Sequence, residues 1–207
     1  TIQDKNKLVN SVFSDVHKNY DLMNDIMSLG IHRVWKEKFI DWMNPQPYTK
    51  LIDVASGTGD IAKLFDKKTK GTSQITCVEP NLRMLEQGKV KLKKFNNVKW
   101  INASAEKLPI PSDFYDYYTI SFGIRNVTNI NFALKEALRV LKPGGRFLCL
   151  EFSKIDNEII KFLYNQYSKT IPYIGKLIVG SEKPYKYLVE SIKNFYSQEE
   201  LSSLMKI

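Results

Sequence analysis

The 207-residue sequence predicts an α/β fold built around a parallel sheet. From Tyr48 onward, short apolar runs of strand character alternate with helical patterns, and repeated β-α units at this spacing favour parallel strands with right-handed crossovers. A glycine turn, Gly57-Thr58-Gly59, follows the first run directly, and the second run ends in the acidic residue Glu79. Glycines allow a backbone to approach a ligand closely, and a carboxylate accepts hydrogen bonds from ribose hydroxyls. This layout therefore predicts a nucleotide-type site.

The strands and the helices between them follow in order from the apolar patterns. Strands are predicted at Leu51–Val54, Ile75–Val78, Val98–Ile101, Tyr117–Phe122 and Phe147–Phe152. Helices are predicted at Asp60–Lys67, from Pro80 onward, and at Ile130–Leu141. Pro80 suits the first turn of its helix because proline lacks a donor that is not needed there. Before the last strand, Lys142-Pro143-Gly144-Gly145-Arg146 has the composition of a turn.

Helical segments are predicted before and after this core. Residues 4–29 carry apolar positions at helical spacing, with a break near Asn19-Tyr20-Asp21. A further helix starts at Gly30, and Pro45 and Pro47 stop it. Its apolar positions are Phe39, Ile40, Trp42 and Met43.

After the fifth strand, residues 155–190 are rich in aromatic and aliphatic side chains. An insertion there would lie over the carboxyl ends of the strands, so it is either an apolar lid for a greasy substrate or a packing or dimer surface. Ser197 and Glu200 have the spacing of a helix capping box. We divide the chain into an N-terminal helical cap (1–47), a cofactor-binding core (48–153) and a lid insertion (154–196), all within one domain, 1–207.

The composition is that of a globular protein, with 43% hydrophobic and 26% charged residues. No apolar run approaches the roughly 18 residues of a membrane span, and the first residues lack the pattern of a signal peptide. Cys77 and Cys149 lie in apolar runs, which favours buried thiols over a disulfide. The net charge of +9 fits a soluble basic protein, an anionic membrane surface or a nucleic acid as partner.

Three kinds of ligand site use a glycine turn in this position. A P-loop requires a lysine and a Ser or Thr after its last glycine, whereas Asp60 and Ile61 follow here, so that class is excluded. A dinucleotide site requires a third small residue, which Ala62 could supply. Class I methyltransferases bind S-adenosylmethionine with an acidic residue in strand one, a glycine turn and an acidic end to strand two. The residues that meet this third pattern, in order, are Asp53, Gly57, Gly59, Glu79 and the Lys142–Gly145 turn.

Several longer stretches resemble the UbiE/COQ5 family of C-methyltransferases. The stretches that carry the resemblance are Val12-Phe13, Tyr20–Asp25, Met27–Lys36, Asp53–Asp60, Phe122–Thr128, Arg139–Arg146 with Leu150–Ser153, and Tyr187–Ile192. The resemblance covers essentially the whole chain. The Phe122–Thr128 run and the N-terminal block are specific to the family, whereas the glycine turn and Lys-Pro-Gly-Gly recur in the wider class.

The resemblance implies a Rossmann-like class I fold and an enzyme that uses S-adenosylmethionine. The family C-methylates the ring of polyprenylated quinol precursors in ubiquinone and menaquinone biosynthesis. Carried over by position, the cofactor contacts are Thr58, Glu79, Ser104, Ala105 and Ser121, with Asp53, Gly57 and Gly59 from the class pattern. In this assignment the turn lies under the methionine end, Glu79 binds the ribose, Ser104 and Ala105 flank the adenine, and Ser121 lies near the sulfonium.

The sequence departs from the family pattern at a few positions. Ser56 stands where the family usually has Gly, Glu79 where it has Asp, and Ser104 where it has Asn. The last change shortens a side chain near the adenine, so we expect a weaker or water-mediated contact there. The family also continues with a closing pair of strands beyond the position of Ile207, and without them we expect one sheet edge to be uncovered.

The chemistry of ring methylation requires alignment and stabilisation of phenolate character, and no metal. Our first candidates for orienting the ring hydroxyl are Arg125 and Asn126, which follow strand four. His32, Asp25 and Tyr20 are second candidates for accepting or relaying the proton. The alternative for Arg125 is a structural salt bridge that holds the N-terminal helices.

The expected partners follow from the substrate class. A polyprenyl quinol implies peripheral membrane association, in the cytoplasm or on the matrix side of a mitochondrial membrane, with a homodimer or a quinone-synthesis complex as further assemblies. The rival hypotheses are an RNA methyltransferase, steered by the +9 charge, a cofactor-binding scaffold subunit and a dehydrogenase. The sequence lacks the Asp/Asn-Pro-Pro-aromatic motif of base-amine methylation after strand four, so we expect no nucleic-acid partner.

Overall fold

The computed structural model describes residues 9–14, 20–155, 157–180 and 182–206. The chain divides into two compact units. The sheet unit is Val34–Glu151, and the helical unit is Thr1–Arg33 with Phe152–Ile207.

The sheet unit contains a parallel sheet, which confirms the predicted α/β fold. Its strands are β1 (Lys50–Val54), β2 (Gln74–Val78), β3 (Val98–Ile101), β4 (Tyr115–Ser121) and β5 (Leu141–Leu150). Their order is β3-β2-β1-β4-β5, and every neighbouring pair is parallel. The chain therefore builds outward from β1 through β2 to β3, and then continues on the other side of β1. Such a reversal creates a crevice at the carboxyl ends of β1 and β4, where ligands bind in folds of this kind.

The central strands are buried because their side chains are apolar on both faces, as parallel sheets require. Leu51, Ile52, Ile75 and Ile120 are at most 1% exposed. Leu51 and Ile75 belong to a core cluster that also includes residues from neighbouring helical segments, namely Phe39, Ile40, Met43, Ile61, Ala62, Phe65 and Leu92.

The helices of the sheet unit begin close to the predicted positions. They are α4 (Asp60–Lys68), α5 (Leu82–Lys91) and α6 (Ile130–Val140). The side chain of Asn81 caps α5 by accepting from the N–H groups of Arg83 and Met84, so this helix begins after Asn81 and not at Pro80. Asn129 caps α6 in the same way, through the N–H of Phe132.

The predicted turn before the last strand is a bulge inside β5. Leu141 pairs with Tyr115 and Arg146 with Tyr117, so the Lys142–Gly145 segment is displaced from the ladder. Gly144 has a φ of 78°, in the left-handed region that glycine tolerates. β5 is therefore longer at its start than the predicted Phe147–Phe152, and it ends at Leu150.

The helical unit contains α1 (residues 9–14), α2 (Tyr20–Ser28), α7 (Glu158–Val179), α8 (Lys183–Lys193) and α9 (Gln198–Leu204). Its core consists of Met23, Met27, Ile171, Tyr185, Leu188, Val189 and Ile192. Ser197 and Glu200 form the predicted capping box at the start of α9. Within the described residues, no helix is long and apolar enough to cross a membrane.

Helix α3 (Ile31–Met43) begins in the helical unit and continues into the sheet unit. Its buried positions are His32, Lys36, Phe39, Ile40 and Met43. Trp42, one of the apolar positions of the helical pattern, is 71% exposed and packs beneath the guanidinium of Arg146. The two polar residues His32 and Lys36 continue the helical stripe of Phe39 and Ile40, and Trp42 lies outside that stripe.

The glycine turn rests on a tryptophan ring. A Cβ atom on Gly59 would lie 3.2 Å from the ring of Trp100, and one on Gly88 would lie 2.1 Å from it. Trp100 of β3 therefore packs against Gly88 of α5 and reaches the end of the turn. This contact requires glycine at position 88, although glycine lowers helix stability there.

We expect Gly88→Ala to destabilise the protein by about 1–3 kcal/mol, because the added methyl overpacks against Trp100. In a Trp100→Val background, the same substitution should stabilise by about 0.8–1 kcal/mol, the difference in helix propensity between alanine and glycine. Urea unfolding of the four proteins measures both effects. Equal destabilisation in the two backgrounds would contradict this account of the contact.

Candidate functional site

The site begins at the glycine turn, which leaves β1 and is held against the end of β2. The Ser56 N–H donates to the Val78 carbonyl at 3.1 Å, and the Gly59 N–H donates to the Ser56 carbonyl at 2.9 Å. Gly57 and Gly59 have φ values of 58° and 86°, which explains the need for glycine at both positions. The turn therefore has a fixed backbone, and Gly57, Thr58 and Gly59 are buried.

Glu79 closes this arrangement from β2. Its carboxylate accepts from the Gly57 N–H at 2.8 Å and from the Asn81 N–H at 2.9 Å. The side chain is buried, and burial raises the pKa of Glu79 to about 7, although the two backbone donors favour the ionised form. Each carboxylate oxygen keeps a further lone pair, so Glu79 can also accept from the hydroxyls of a ribose.

Asp53 is the second buried carboxyl of the site. It is 1% exposed, and Thr119 of β4 donates a hydrogen bond of 2.7 Å to its Oδ1. Burial raises the pKa of Asp53 to about 7. Its Oδ2 has no hydrogen-bond partner among the described residues.

Ser121 ends β4, and its buried Oγ likewise has no hydrogen-bond partner within the described part of the chain. Buried polar atoms are nearly always paired, so an orphan calls for a ligand or a water. Asp53 and Ser121 lie on β1 and β4, the strands that flank the crevice. These orphans, the glycine turn and Glu79 fit S-adenosylmethionine, which carries an amino-acid end and a ribose.

The predicted adenine contacts lie in the loop after β3. Ser104 is exposed and forms an isolated bridge with Lys107, whereas Ala105 is buried. Glu106 then accepts from the Thr128 N–H at 2.8 Å, which ties this loop to the segment after β4. Thr58, also a predicted contact, is 3% exposed and accepts a hydrogen bond from Lys91 at 3.0 Å.

Arg125 lies in a 3₁₀ turn, Ile124–Asn126, that follows β4. Its Nη1 donates to Glu151 at 2.5 Å and to the Phe122 carbonyl at 2.8 Å. The Arg125 and Glu151 side chains are each 3% exposed. Asn126 donates to the same Phe122 carbonyl at 3.5 Å. We expected a salt bridge to the N-terminal helices as the structural alternative, and the ion-pair partner that the structure gives is Glu151.

The second group of candidates lies in the helical unit. His32 is 2% exposed, and its Nε2 lies 2.9 Å from Asp25 Oδ1. Arg33 also binds both oxygens of Asp25, and its hydrogen bonds, with those of His32, lower the pKa of that carboxyl to about 2. So low a pKa makes Asp25 a weak base, and orienting His32 suits it better than accepting a proton. The side chain of Tyr20 lies outside the described residues.

Sequence reasoning missed two ionic features. Glu151 is a lone charge at the end of an apolar strand, which is the signal that could have identified it. Asp60, directly after the glycine turn, accepts from Lys36 and from Lys91, at 2.7 Å each. Lys36 was not a candidate because the helical pattern did not show that its position is buried.

Two features define the class of protein. The strand order reverses between β1 and β4, and an acidic residue binds the glycine turn. Together these are features of a class I S-adenosylmethionine-dependent methyltransferase. A solved methyltransferase from Thermotoga maritima, described as S-adenosylmethionine-dependent, has the same fold. It superposes with a TM-score of 0.63 at 24% identity, over 95% of this chain and 78% of that one.

The particular family follows from sequence comparison. The model of the ubiE/COQ5 methyltransferase family matches residues 1–207, and the chain belongs to that family. A relative from Rickettsia massiliae, named ubiquinone/menaquinone biosynthesis C-methyltransferase UbiE, is 53% identical over 209 residues, which is 98% of this chain and 84% of the relative. A relative of the same name from Rickettsia bellii is 51% identical over 210 residues, with the same coverage. The chain is thus an S-adenosylmethionine-dependent methyltransferase.

The pKa of Glu79 predicts a pH dependence of cofactor binding. With ribose hydroxyls donating to its ionised carboxylate, Glu79 would have a pKa below about 7 in the complex, and binding would release a proton. Affinity for S-adenosylmethionine should therefore level off above pH 7 and fall below it, by up to about tenfold per pH unit. Calorimetric titration between pH 5.5 and pH 8.5 measures this dependence.

In Glu79→Gln the affinity should be lower at pH 8 and nearly independent of pH. Asp53→Asn is the matched control, since it removes a carboxyl of similar burial and pKa. It should retain the dependence, shifted slightly to lower pH because the charge of Asp53 raises the pKa of Glu79. If the pH dependence disappears in Asp53→Asn and persists in Glu79→Gln, it arises from Asp53. That result would contradict the role of Glu79.

Proposed function

We propose that this enzyme transfers a methyl group to a ring carbon of a polyprenylated quinol precursor of ubiquinone, menaquinone or both. The observation that carries this proposal is the family match over residues 1–207, together with relatives named for this reaction. The same stretch that distinguishes the family, Phe122–Thr128, forms the 3₁₀ turn at the carboxyl end of β4.

The bound cofactor supplies an electrophilic methyl group on a sulfonium, so the protein's task is alignment and stabilisation of charge. Thr58 and the two glycines of the turn hold the methionine end. Glu79 accepts from the ribose, Ser104 and Ala105 flank the adenine, and Ser121 lies beside the sulfonium. Asp53 keeps β1 and β4 joined through Thr119 at the floor of the crevice.

Arg125 and Asn126 orient the ring hydroxyl and favour its ionised form, which makes the neighbouring carbon nucleophilic. The hydrogen bonds of Arg125 to Glu151 and to the Phe122 carbonyl fix the plane of its guanidinium. A rigid donor costs no reorganisation during the reaction. In this proposal His32, oriented by Asp25, accepts or relays the hydroxyl proton, and Tyr20 is a further member of that relay.

A substitution of Arg125 alone confounds catalysis with folding, because it leaves Glu151 buried without its charge partner, at a cost of about 3–5 kcal/mol. The sharper variant is the pair Arg125→Met with Glu151→Leu, which removes both charges and retains apolar volume. We expect this pair to fold and bind the cofactor normally, and to lose about 10²–10³-fold in kcat.

The assay measures labelled methyl transfer to demethylmenaquinol and to the demethylated methoxybenzoquinol, side by side. Thermal unfolding and cofactor affinity are recorded on the same samples. A paired variant with near-normal kcat on the preferred quinol would show that Arg125 is purely structural. Cofactor binding by the wild type without transfer to either quinol would contradict the proposed function.

We also propose that the enzyme associates peripherally with an anionic membrane, from the cytoplasmic side. Helix α7 supports this proposal because it has a second apolar face, the outer stripe of Ile159, Phe162, Leu163, Tyr173 and Leu177, each at least 61% exposed. Ile171 and Ser168, on the opposite side, are buried. Lys169 and Lys176 are exposed beside the stripe, where they can reach lipid phosphates.

Leu163→Glu should weaken binding to vesicles that contain anionic lipid by about tenfold or more, because one leucine leaves the bilayer interface. Leu138→Glu on α6 is the matched control, since Leu138 is 63% exposed and Leu163 is 61% exposed. Co-sedimentation at two salt concentrations measures the binding. Equal loss in both variants, or binding that is indifferent to anionic lipid, would rule out the outer stripe of α7 as the docking surface.

A further inference from the structure

Lys36 is a buried charge beside the glycine turn that the proposed mechanism does not use. It lies on the buried face of α3 and is 7% exposed. Its ammonium donates to Asp60 Oδ2 at 2.7 Å and lies 6.0 Å from the ring centroid of Phe122. Lysine is rarely buried to this extent unless its charge is fully matched by partners.

Lys36 shares its carboxylate partner with a second cation. Asp60 accepts from both Lys36 and Lys91, one on each oxygen, and these two ammonium groups hold the pKa of its carboxyl well below the usual range. Lys36 and Lys91 thus share one hydrogen-bonded carboxylate at the start of α4.

Lys36 also has donors to spare. An ammonium group has three N–H donors, and among the described residues Lys36 uses one, for Asp60. Lys91 differs, because it is 30% exposed and donates to Thr58 as well as to Asp60. Of the two cations, Lys36 is therefore the one that is withdrawn from water and short of acceptors.

The position of Lys36 indicates which ligand would supply a hydrogen-bond acceptor for its ammonium group. Its charge lowers the pKa of Asp53 on β1 as well as that of Asp60 on α4. The glycine turn connects these two acidic residues, and Lys36 lies at the Asp60 end of the turn. The methionine end of the cofactor, which carries a carboxylate, is assigned to this turn.

We propose that Lys36 binds the α-carboxylate of S-adenosylmethionine. This inference rests on the assignment of the cofactor to the glycine turn. The anion would accept the spare donors of Lys36, while Asp60 holds the ammonium in place. A lysine that served only to tie α3 to α4 would need no buried donors to spare.

The test compares two ligands that differ in that carboxylate alone, S-adenosylmethionine and its decarboxylated analogue, by isothermal titration. Wild-type protein should bind the first roughly 10- to 100-fold more tightly, as expected for one charge-assisted hydrogen bond. Lys36→Met should lose most of this preference, by weakening the first ligand and leaving the analogue nearly unchanged. Lys36→Gln is the second variant should Lys36→Met not fold.

Lys91→Met is the matched control, because it also removes one ion pair from Asp60, and it should retain the preference. Equal weakening of both ligands by Lys36→Met would overturn the proposal in favour of a structural tie. A preference that disappears in Lys91→Met instead would also overturn it. Binding needs no methyl acceptor, so these results are independent of the quinol assignment, whereas failure of the wild type to bind either ligand contradicts the cofactor site itself.

Discussion

The hydrogen bond from the Gly57 N–H to the Glu79 carboxylate is the contact on which the site depends. It joins the turn after β1 to the end of β2, and the same carboxylate fixes the start of the next segment through Asn81. Trp100 packs against Gly88 and Gly59 near the end of the turn. The turn is therefore held in place by a hydrogen bond and by the packing of a ring.

Buried charge is concentrated around this edge of the sheet, and its state depends on binding. The pKa values of Asp53 and Glu79 in the folded protein, about 7, exceed their ordinary values of 3.8 and 4.5. The native state therefore binds protons more tightly than the unfolded state, and the free protein loses stability as pH rises from about 4 to 7. Ribose donors at Glu79 would favour its ionised form and offset part of that loss. Buried carboxyls with pKa values raised in this way are typical of functional sites.

Sequence reasoning located the strands well, because buried parallel strands are continuous apolar runs. The predicted Leu51–Val54 and the observed Lys50–Val54 differ by one residue. The start of β4 was missed because Asp116 looked like part of a loop. In the structure its carboxylate accepts from the Lys50 N–H and from Lys142, which explains a polar residue inside a strand.

What the sequence could not give were pairings between distant residues. Arg125 was a candidate from its motif, but its partner Glu151 is 26 residues away and becomes visible only when β4 and β5 pair. The buried position of Lys36 likewise depends on which face of α3 packs inward, which the helical pattern alone did not show. The roles of the site residues stay predictions, although the fold and the family are confirmed.

The central claim is that this site directs the methyl group to a ring carbon of a quinol. The most direct measurement is a nuclear magnetic resonance spectrum of the product formed from ¹³C-methyl-labelled S-adenosylmethionine and a demethylated polyprenyl quinol. The account predicts a single labelled methyl resonance at the shift of a carbon-bound aromatic methyl group. A labelled methoxy resonance, from transfer to oxygen, would contradict it.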